Sequence, residues 1–243
     1  MQTIELRKEK HDFRTNEALK TLRTNIEFAG EDIQVIGLTS ATPNEGKSTI
    51  AMELAKSFAE NGSHTLIIDA DMRKSVLRAR QLHGNIRYGL TNILARKTAI
   101  EDAICMSDFD NLDVIFAGPV PPNPSELLGG KHFEGVIDYA RSHYDCVIID
   151  APPIGSVIDA AVIARKCDGM LLVIESGAIS YRFEKKVVDQ LRVADARILG
   201  VVLNKINLGG KGYYGKYYGK YYERYYGKYY GKYYGQYYGP DKE

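Results

Sequence analysis

The chain has 243 residues, a formal net charge of +1 and 26% charged residues, enough length for one sizeable α/β domain. Its five histidines are scattered without ligand spacing, which argues against a zinc site built from protein side chains. Its three cysteines, Cys105, Cys146 and Cys167, lack CxxC spacing, so we expect reduced thiols in the cytoplasm and no disulfide framework.

The first ten residues are polar and charged and contain no apolar stretch that could act as a signal peptide. Residues 12–28 then carry apolar side chains at roughly helical spacing, which predicts an amphipathic helix with Thr15 or Asn16 as its N-cap. The longest apolar runs, such as residues 170–174, are far too short to cross a bilayer. We therefore expect a soluble chain that reaches a membrane only through a partner.

After this helix the period of the apolar residues changes. Six apolar runs of strand length follow, at residues 33–39, 64–69, 112–117, 146–150, 169–175 and 198–206. Most are separated by helical patterns, at residues 48–61, 90–97, 131–142, 159–166 and 180–194. Strands that are apolar throughout and alternate with helices are typical of a parallel sheet covered on both faces. The sequence thus predicts a doubly wound, mostly parallel α/β fold, with its ligand at the carboxyl ends of the strands.

The first predicted strand ends in SATPNEGKST, residues 40–49. This segment fits the phosphate-binding loop (P-loop) pattern GxxxxGK[ST], except that Ala41 stands where the first glycine is usual. Backbone N–H groups ahead of the following helix can cradle phosphate oxygens, although a simple Gly-Lys helix cap is the alternative. Lys47 would reach the β- and γ-phosphates, and Ser48 would bind Mg²⁺. The predicted nucleotide-binding residues of the loop are Asn44, Glu45, Gly46, Lys47, Ser48 and Thr49.

Two further predicted strands end in carboxylates. LIIDADMR places Asp69 and Asp71 two residues apart, so the strand must stop between them if both are to serve one metal ion. CVIIDAPP places Asp150 at a strand end, as in the second magnesium-binding element of a P-loop NTPase. Each end alone is weak, because a solvated charge after a strand is common. Three such ends at one edge of one sheet predict a single magnesium-nucleotide site.

Two polar residues beyond these motifs are also candidates. Asn204 follows the last strand in VVLNKI, where it could contact the nucleotide base or only satisfy backbone groups. Ser125 closes a proline-rich segment, residues 119–125, and is predicted to cap the next helix.

Residues 208–243, which we call the tyrosine tail, contain fourteen tyrosines in pairs, with one pair every four residues. Six lysines and arginines oppose only Glu223 before the mixed last three residues, which gives about five positive charges. Glycine at nearly every fourth position and paired aromatics fit neither a helical nor a strand period, so we expect a mobile segment. Such a segment is long enough to enter the site of a neighbouring subunit.

Together, LTSATPNEGKST, LIIDADMR and VIIDAPP resemble the Walker A, A′ and B motifs of bacterial tyrosine kinases (BY-kinases), most closely the soluble capsular or exopolysaccharide autokinases of Gram-positive bacteria. The resemblance extends through GLTNIL and GPVPPNPSELL to the final strand. It implies a P-loop NTPase-type fold and phosphoryl transfer from Mg-ATP, with catalytic Lys47, Asp69, Asp71 and Asp150. It also implies autophosphorylation of Tyr213, Tyr214, Tyr217, Tyr218, Tyr221, Tyr222, Tyr225, Tyr226, Tyr229, Tyr230, Tyr233, Tyr234, Tyr237 and Tyr238.

Several partners follow from the same resemblance. In the family an ExxRxxR element of the N-terminal helix packs subunits into a ring, and this chain has Glu17, Lys20 and Arg23 at those positions. Lysine lacks the planar fork of arginine, and an exposed helix face with a charge pair is the alternative. A transmembrane polysaccharide co-polymerase adaptor that activates the kinase and holds it at the membrane, and a protein-tyrosine phosphatase, are also implied. The expected regions are an oligomerisation helix (1–30), the kinase domain (31–207) and the tyrosine tail.

The acceptor is a phenol that is protonated at neutral pH, so a base must take its proton. We predict Asp69 as this base and Asp71 and Asp150, with Ser48, as magnesium ligands, although Asp69 and Asp71 could exchange roles. Partitioning and division-site ATPases carry an additional lysine where this chain has Thr42, which argues against them. A sticky tail beside an ATPase core and a nucleic-acid-binding tail are the other interpretations. We favour the autokinase and expect no nucleic-acid partner.

Overall fold

A computed structural model describes residues 2–7 and 11–206. The tyrosine tail, with all its predicted acceptor tyrosines, lies outside the described residues. The strands are β1 (Gln2–Leu6), β2 (Val35–Ser40), β3 (Thr65–Asp69), β4 (Gln81–His83), β5 (Cys105–Ser107), β6 (Leu112–Ile115), β7 (Cys146–Asp150), β8 (Gly169–Glu175) and β9 (Ile198–Asn204). The helices are α1 (Phe13–Ala29), α2 (Lys47–Glu60), α3 (Leu90–Leu94), α4 (Ile100–Ala103), α5 (Pro124–Gly129), α6 (Lys131–His143), α7 (Asp159–Ala164) and α8 (Tyr181–Val193), with a 3₁₀ turn at Leu77–Arg80.

The described strands form one sheet in the order β4-β1-β5-β6-β3-β7-β2-β8-β9. From β6 to β9 every neighbouring pair is parallel, whereas β1 pairs antiparallel with β4 and β5 pairs antiparallel with β6. This arrangement confirms the predicted mostly parallel α/β fold. It also brings the ends of β3, β7, β2, β8 and β9 to one edge, which is where the motifs lie.

Hydrophobic cores cover both faces of the sheet. On one face Ile36 and Leu38 of β2 pack in a cluster with Phe58 of α2 and Ile26 of α1. On the other, the alternate residue Val35 belongs to a cluster that includes side chains of α6, α7 and α8. Successive side chains of a strand point to opposite faces, so a strand between two helical layers must be apolar throughout. This explains the continuous apolar runs in the sequence.

The first residues of the chain form a strand that the sequence did not predict. In QTIEL only Ile4 and Leu6 are buried, and β1 pairs with β4 and β5, which are shorter still. A strand at the margin of a sheet needs few apolar side chains, so its pattern is easily missed. β1 belongs to the same sheet as β2, the strand that leads into the P-loop. The boundary near residue 30, between an oligomerisation region and the kinase domain, therefore remains a prediction about function.

Two predicted helix caps are wrong. Asp12, rather than Thr15 or Asn16, caps α1, because its Oδ1 accepts a hydrogen bond from the Thr15 N–H at 2.9 Å. Ser125 lies inside α5, whose N-cap is Asn123. A hydroxyl at the second helical position is free to bond to a neighbouring element, and Ser125 does so.

No helix in the described part of the chain is long and apolar enough to span a bilayer. The three cysteines are free. Burial raises the pKa of Cys105 to about 11 and that of Cys167 to about 12, so both remain protonated thiols at neutral pH.

Candidate active site

The P-loop connects the end of β2 to the start of α2. Gly46 has φ +91°, which favours glycine, and a Cβ there would lie 2.1 Å from Asn204 Nδ2 and displace that side chain from the loop. No side chain of the described residues caps α2, whose first-turn N–H groups are therefore available to an anion. Ala41 is fully buried and has no positive φ, which explains why alanine can replace the first glycine of the pattern.

Lys47 is the centre of a buried polar cluster. Its Nζ donates to Asp150 Oδ1 and, at 3.1 Å, to Ser48 Oγ. Lys47 and Asp150 are only 6% and 1% exposed, so each charge depends on the other for compensation. Asp150 Oδ2 is buried and without a hydrogen-bond partner in the described part of the chain, as is Glu45 Oε1. An unpaired, buried carboxylate oxygen beside a lysine and a hydroxyl fits a site that receives a cation and phosphate oxygens.

The A′ carboxylates lie beside this cluster. Strand β3 ends at Asp69, as the sequence required, and Asp69 pairs in register with Asp150 of β7. The Ser75 hydroxyl donates to Asp69 Oδ2, and the Asp71 N–H donates to Asp69 Oδ1 at 3.3 Å. Burial, reinforced by the charge of Asp150, raises the pKa of Asp69 to about 8. Burial also raises the pKa of Asp150, while the Lys47 ammonium opposes the change.

Other predicted residues hold the loop in shape. Glu45 Oε2 accepts from the Thr42 N–H at 2.8 Å, and Asn204 Nδ2 donates to the Glu45 carbonyl oxygen at 2.9 Å. Thr49 Oγ1 accepts from Arg80 at 2.6 Å. All predicted nucleotide-site residues therefore lie together at one edge of the sheet, and Asn204 contacts the loop itself.

A second hydrogen-bond network, which the sequence did not predict, anchors the end of the A′ motif at Arg73. Arg73 donates through Nε to Asp159 Oδ2 at 2.7 Å and through Nη2 to Asp159 Oδ1 at 3.1 Å. Ser125 donates to the same carboxylate. The position of Arg73, two residues after Asp71, could have drawn attention to it from the sequence. Asp159 is distant in sequence, so only the fold reveals the contact.

The predicted oligomerisation residues lie on α1, apart from this site. Lys20 Nζ pairs with Glu17 Oε1 at 2.9 Å, and Arg23 Nη1 donates to the Ser57 carbonyl oxygen of α2 at 2.6 Å. Phe13 and Phe28 of the same helix are 66% and 84% exposed. Helix α1 is therefore hydrogen-bonded to α2 of the same chain and also carries two large aromatic side chains that are exposed to solvent.

The chain is similar to known proteins over most of its length. Residues 33–193 match a family described as the AAA domain. The tyrosine-protein kinase CpsD of Streptococcus agalactiae is 41% identical over 209 residues, which cover 84% of this chain and 91% of CpsD. This chain belongs to the bacterial tyrosine kinases. It is a protein-tyrosine kinase with the nucleotide-binding fold of that family.

Solved structures agree with this placement. The chimerical protein CapA2B2 is similar with a TM-score of 0.77 and 34% identity, over 84% of this chain and 93% of that one. The septum site-determining protein MinD of Pyrococcus horikoshii, solved with Mg-ADP, has a TM-score of 0.60 and 24% identity, over 74% of this chain and 72% of MinD. That second likeness shows only a shared fold.

Proposed function

We propose that this kinase transfers the γ-phosphoryl group of ATP to the tyrosines of its own tail. The observation that carries the proposal is the meeting of Lys47, Ser48 and Asp150 with Asp69 at the end of the P-loop strand. A buried ammonium beside paired carboxylates is suited to binding and orienting a magnesium triphosphate. A tail with fourteen tyrosines supplies acceptors on the same polypeptide.

In this proposal the backbone N–H groups of residues 44–49 hold the phosphates, and Lys47 Nζ exchanges its bond to Asp150 for bonds to β- and γ-phosphate oxygens. Ser48, Asp71 and Asp150 would hold the magnesium ion, which would neutralise the charge on those oxygens. Among the described residues no group of three or more histidines, cysteines and carboxylates is arranged to hold a metal ion. Magnesium commonly binds through one or two carboxylates together with substrate phosphates.

Asp69 is the proposed base, which accepts the phenolic proton as the oxygen attacks phosphorus. In the ligand-free protein the pKa of Asp69 is about 8, so the group is mostly protonated at pH 7. In this proposal it acts as the base once it has lost that proton, and its raised pKa then makes it a stronger proton acceptor than an ordinary carboxylate. Asp71 is also buried, at 8% exposure against 0% for Asp69. In the alternative assignment Asp71 is the base and Asp69 is the magnesium ligand. Comparing Asp69→Asn with Asp71→Asn decides between them, since loss of the base lowers kcat whereas loss of the metal ligand raises the magnesium requirement.

Transfer between subunits of a ring is the proposed route. The exposed aromatic side chains of α1 support a subunit contact through this helix, with Glu17, Lys20 and Arg23 on it. A transmembrane polysaccharide co-polymerase adaptor would place the kinase at the cytoplasmic face of the membrane and activate it, and a phosphatase would reverse the modification. The regulated process would be capsular or exopolysaccharide synthesis and export, as the family resemblance implies.

Incubation of the full chain with Mg-ATP, followed by mass spectrometry of the tail, tests the central proposal. We expect phosphate on tyrosines between 213 and 238 in the wild type and its loss in Lys47→Met, because that variant lacks the phosphate-binding ammonium. Because isolated activity depends on the adaptor in this proposal, the assay is repeated with the adaptor's cytoplasmic segment. ATP turnover without phosphotyrosine in both arms would contradict the autokinase.

A mixing experiment tests transfer between subunits. Lys47→Met with an intact tail is combined with an active chain whose fourteen tail tyrosines are replaced by phenylalanine. We expect phosphate on the Lys47→Met chain, since only its partner can perform the chemistry. Phosphate that appears in the wild type but never in this mixture would establish transfer within one chain.

A further inference from the structure

Lys205 follows the last residue of β9 and lies against the P-loop. Its Nζ donates to the Asn44 carbonyl oxygen at 2.7 Å and to Glu175 Oε2 at 2.7 Å. Glu175 is the last residue of β8. The Lys205 ammonium thus connects the ends of the neighbouring strands β8 and β9 to the P-loop at Asn44.

The backbone at both ends of this bridge is strained. Asn44 has φ +69° and Lys205 has φ +54°, in the left-handed region that non-glycine residues rarely occupy. Such a conformation is unfavourable for a residue with a Cβ and persists where surrounding contacts enforce it. Asn204 adds a second contact one residue earlier, through the Glu45 carbonyl oxygen. Asn204, the last residue of β9, and Lys205, which follows it, therefore bind the carbonyl oxygens of Glu45 and Asn44, two successive residues of the loop.

We propose that Lys205 is a positioning residue of the nucleotide site, which braces the P-loop from the strand that leads into the tyrosine tail. The inference rests on the proposed function in that the loop is taken to bind Mg-ATP. The tail begins three residues after Lys205. By reciprocity, nucleotide that orders the loop also orders the end of β9, from which the tail departs.

Nucleotide affinity provides the first test, by calorimetric titration of Mg-ADP into full-length proteins. Lys205→Met should weaken binding about five- to tenfold, since a half-exposed charge-assisted hydrogen bond to a carbonyl is lost. Lys205→Arg keeps the charge and donors and should stay within about twofold of wild type. Lys186→Met removes an exposed lysine of α8 as a matched control and should bind like wild type.

Amide hydrogen exchange provides a second readout, first without nucleotide and then with it. Residues 44–46 should exchange faster in Lys205→Met than in wild type or Lys186→Met, because the brace on the loop is gone. On addition of Mg-ADP, protection should extend to residues 201–206 in wild type and be smaller there in Lys205→Met. A merely structural role of Lys205 would raise exchange throughout β9 and leave the loop unchanged.

A double-mutant cycle tests whether Glu175 acts through the same ammonium. Glu175→Gln should weaken Mg-ADP binding less than Lys205→Met and add little to it in the double variant. Wild type that fails to bind Mg-ADP would refute the proposed function itself. Wild type that binds, with Lys205→Met binding equally well and showing the same loop exchange, would overturn only this inference.

Discussion

Single residues of the P-loop differ in whether they must be glycine. Gly46 has a positive φ, and a Cβ there would displace the Asn204 amide, whereas Ala41 has neither constraint and is alanine here. The pattern GxxxxGK[ST] therefore combines one position fixed by sterics with another that tolerates a methyl group in this chain.

We predict that Gly46→Ala abolishes Mg-ADP binding and costs about 1–2 kcal/mol of the free energy of unfolding. Gly62→Ala is the matched control, because Gly62 has a similar φ of +93° but nothing within 4 Å of the added Cβ. The control should lose about 1 kcal/mol and bind nucleotide normally, as measured by urea unfolding and calorimetry. Normal binding by Gly46→Ala would mean that the loop of the bound state has another conformation.

At the scale of elements, Asp168 ties the starts of β2 and β8 to α6. Its carboxylate accepts from the N–H groups of Gln34 and Val35 at 3.0 and 2.7 Å and from both terminal nitrogens of Arg141. Burial alone would raise the pKa of Asp168, but these hydrogen bonds outweigh it and hold the pKa below its ordinary value of 3.8.

We predict that Asp168→Asn lowers the free energy of unfolding by about 2 kcal/mol at pH 7. Because the folded pKa is depressed, the carboxylate stabilises the fold above its ordinary pKa, and this contribution disappears as the pH falls through the lowered value. The difference between wild type and variant in urea unfolding should therefore begin to shrink only as the pH falls below the ordinary pKa of 3.8, and should vanish below the lowered pKa of the folded state. Asp189→Asn, at an exposed ion pair of α8, should change stability by less than about 0.5 kcal/mol throughout. A difference that persists undiminished at low pH would contradict the assignment.

The central elements were predictable and the marginal ones were not. Long apolar runs such as β7 and β8, buried on both faces, matched their predicted limits, because two helical layers demand apolar residues at every position. Strands of three residues, such as β4 and β5, carry too little pattern to recognise. In the site, the motif residues could be predicted since they are consecutive, whereas the bond from Arg73 to Asp159 spans 86 residues and depends on tertiary packing.

At the scale of the whole molecule, the charge of the tyrosine tail is the property that phosphorylation would change. Each phosphotyrosine adds about 1.5 to 2 negative charges, so roughly three would cancel the five positive charges of the tail and more would reverse its sign. We hypothesise that this reversal releases the tail from a negatively charged site edge and loosens subunit association.

Light scattering after gel filtration, at several levels of phosphorylation, should show smaller oligomers once more than about three phosphates are present per chain. Lys47→Met incubated with Mg-ATP is the control and should keep its initial size. An oligomer of constant size at every level would show that tail charge does not govern assembly.

The register of β3 and β7 sets Asp69 directly opposite Asp150, about 5 Å apart in backbone spacing and shielded from water. Every copy of the enzyme that lacks its ligand therefore folds around two facing carboxyl groups, whose burial and mutual repulsion keep Asp69 mostly protonated at neutral pH while Lys47 balances Asp150. Magnesium nucleotide would relieve this repulsion, so the loaded form gains stability by mass action.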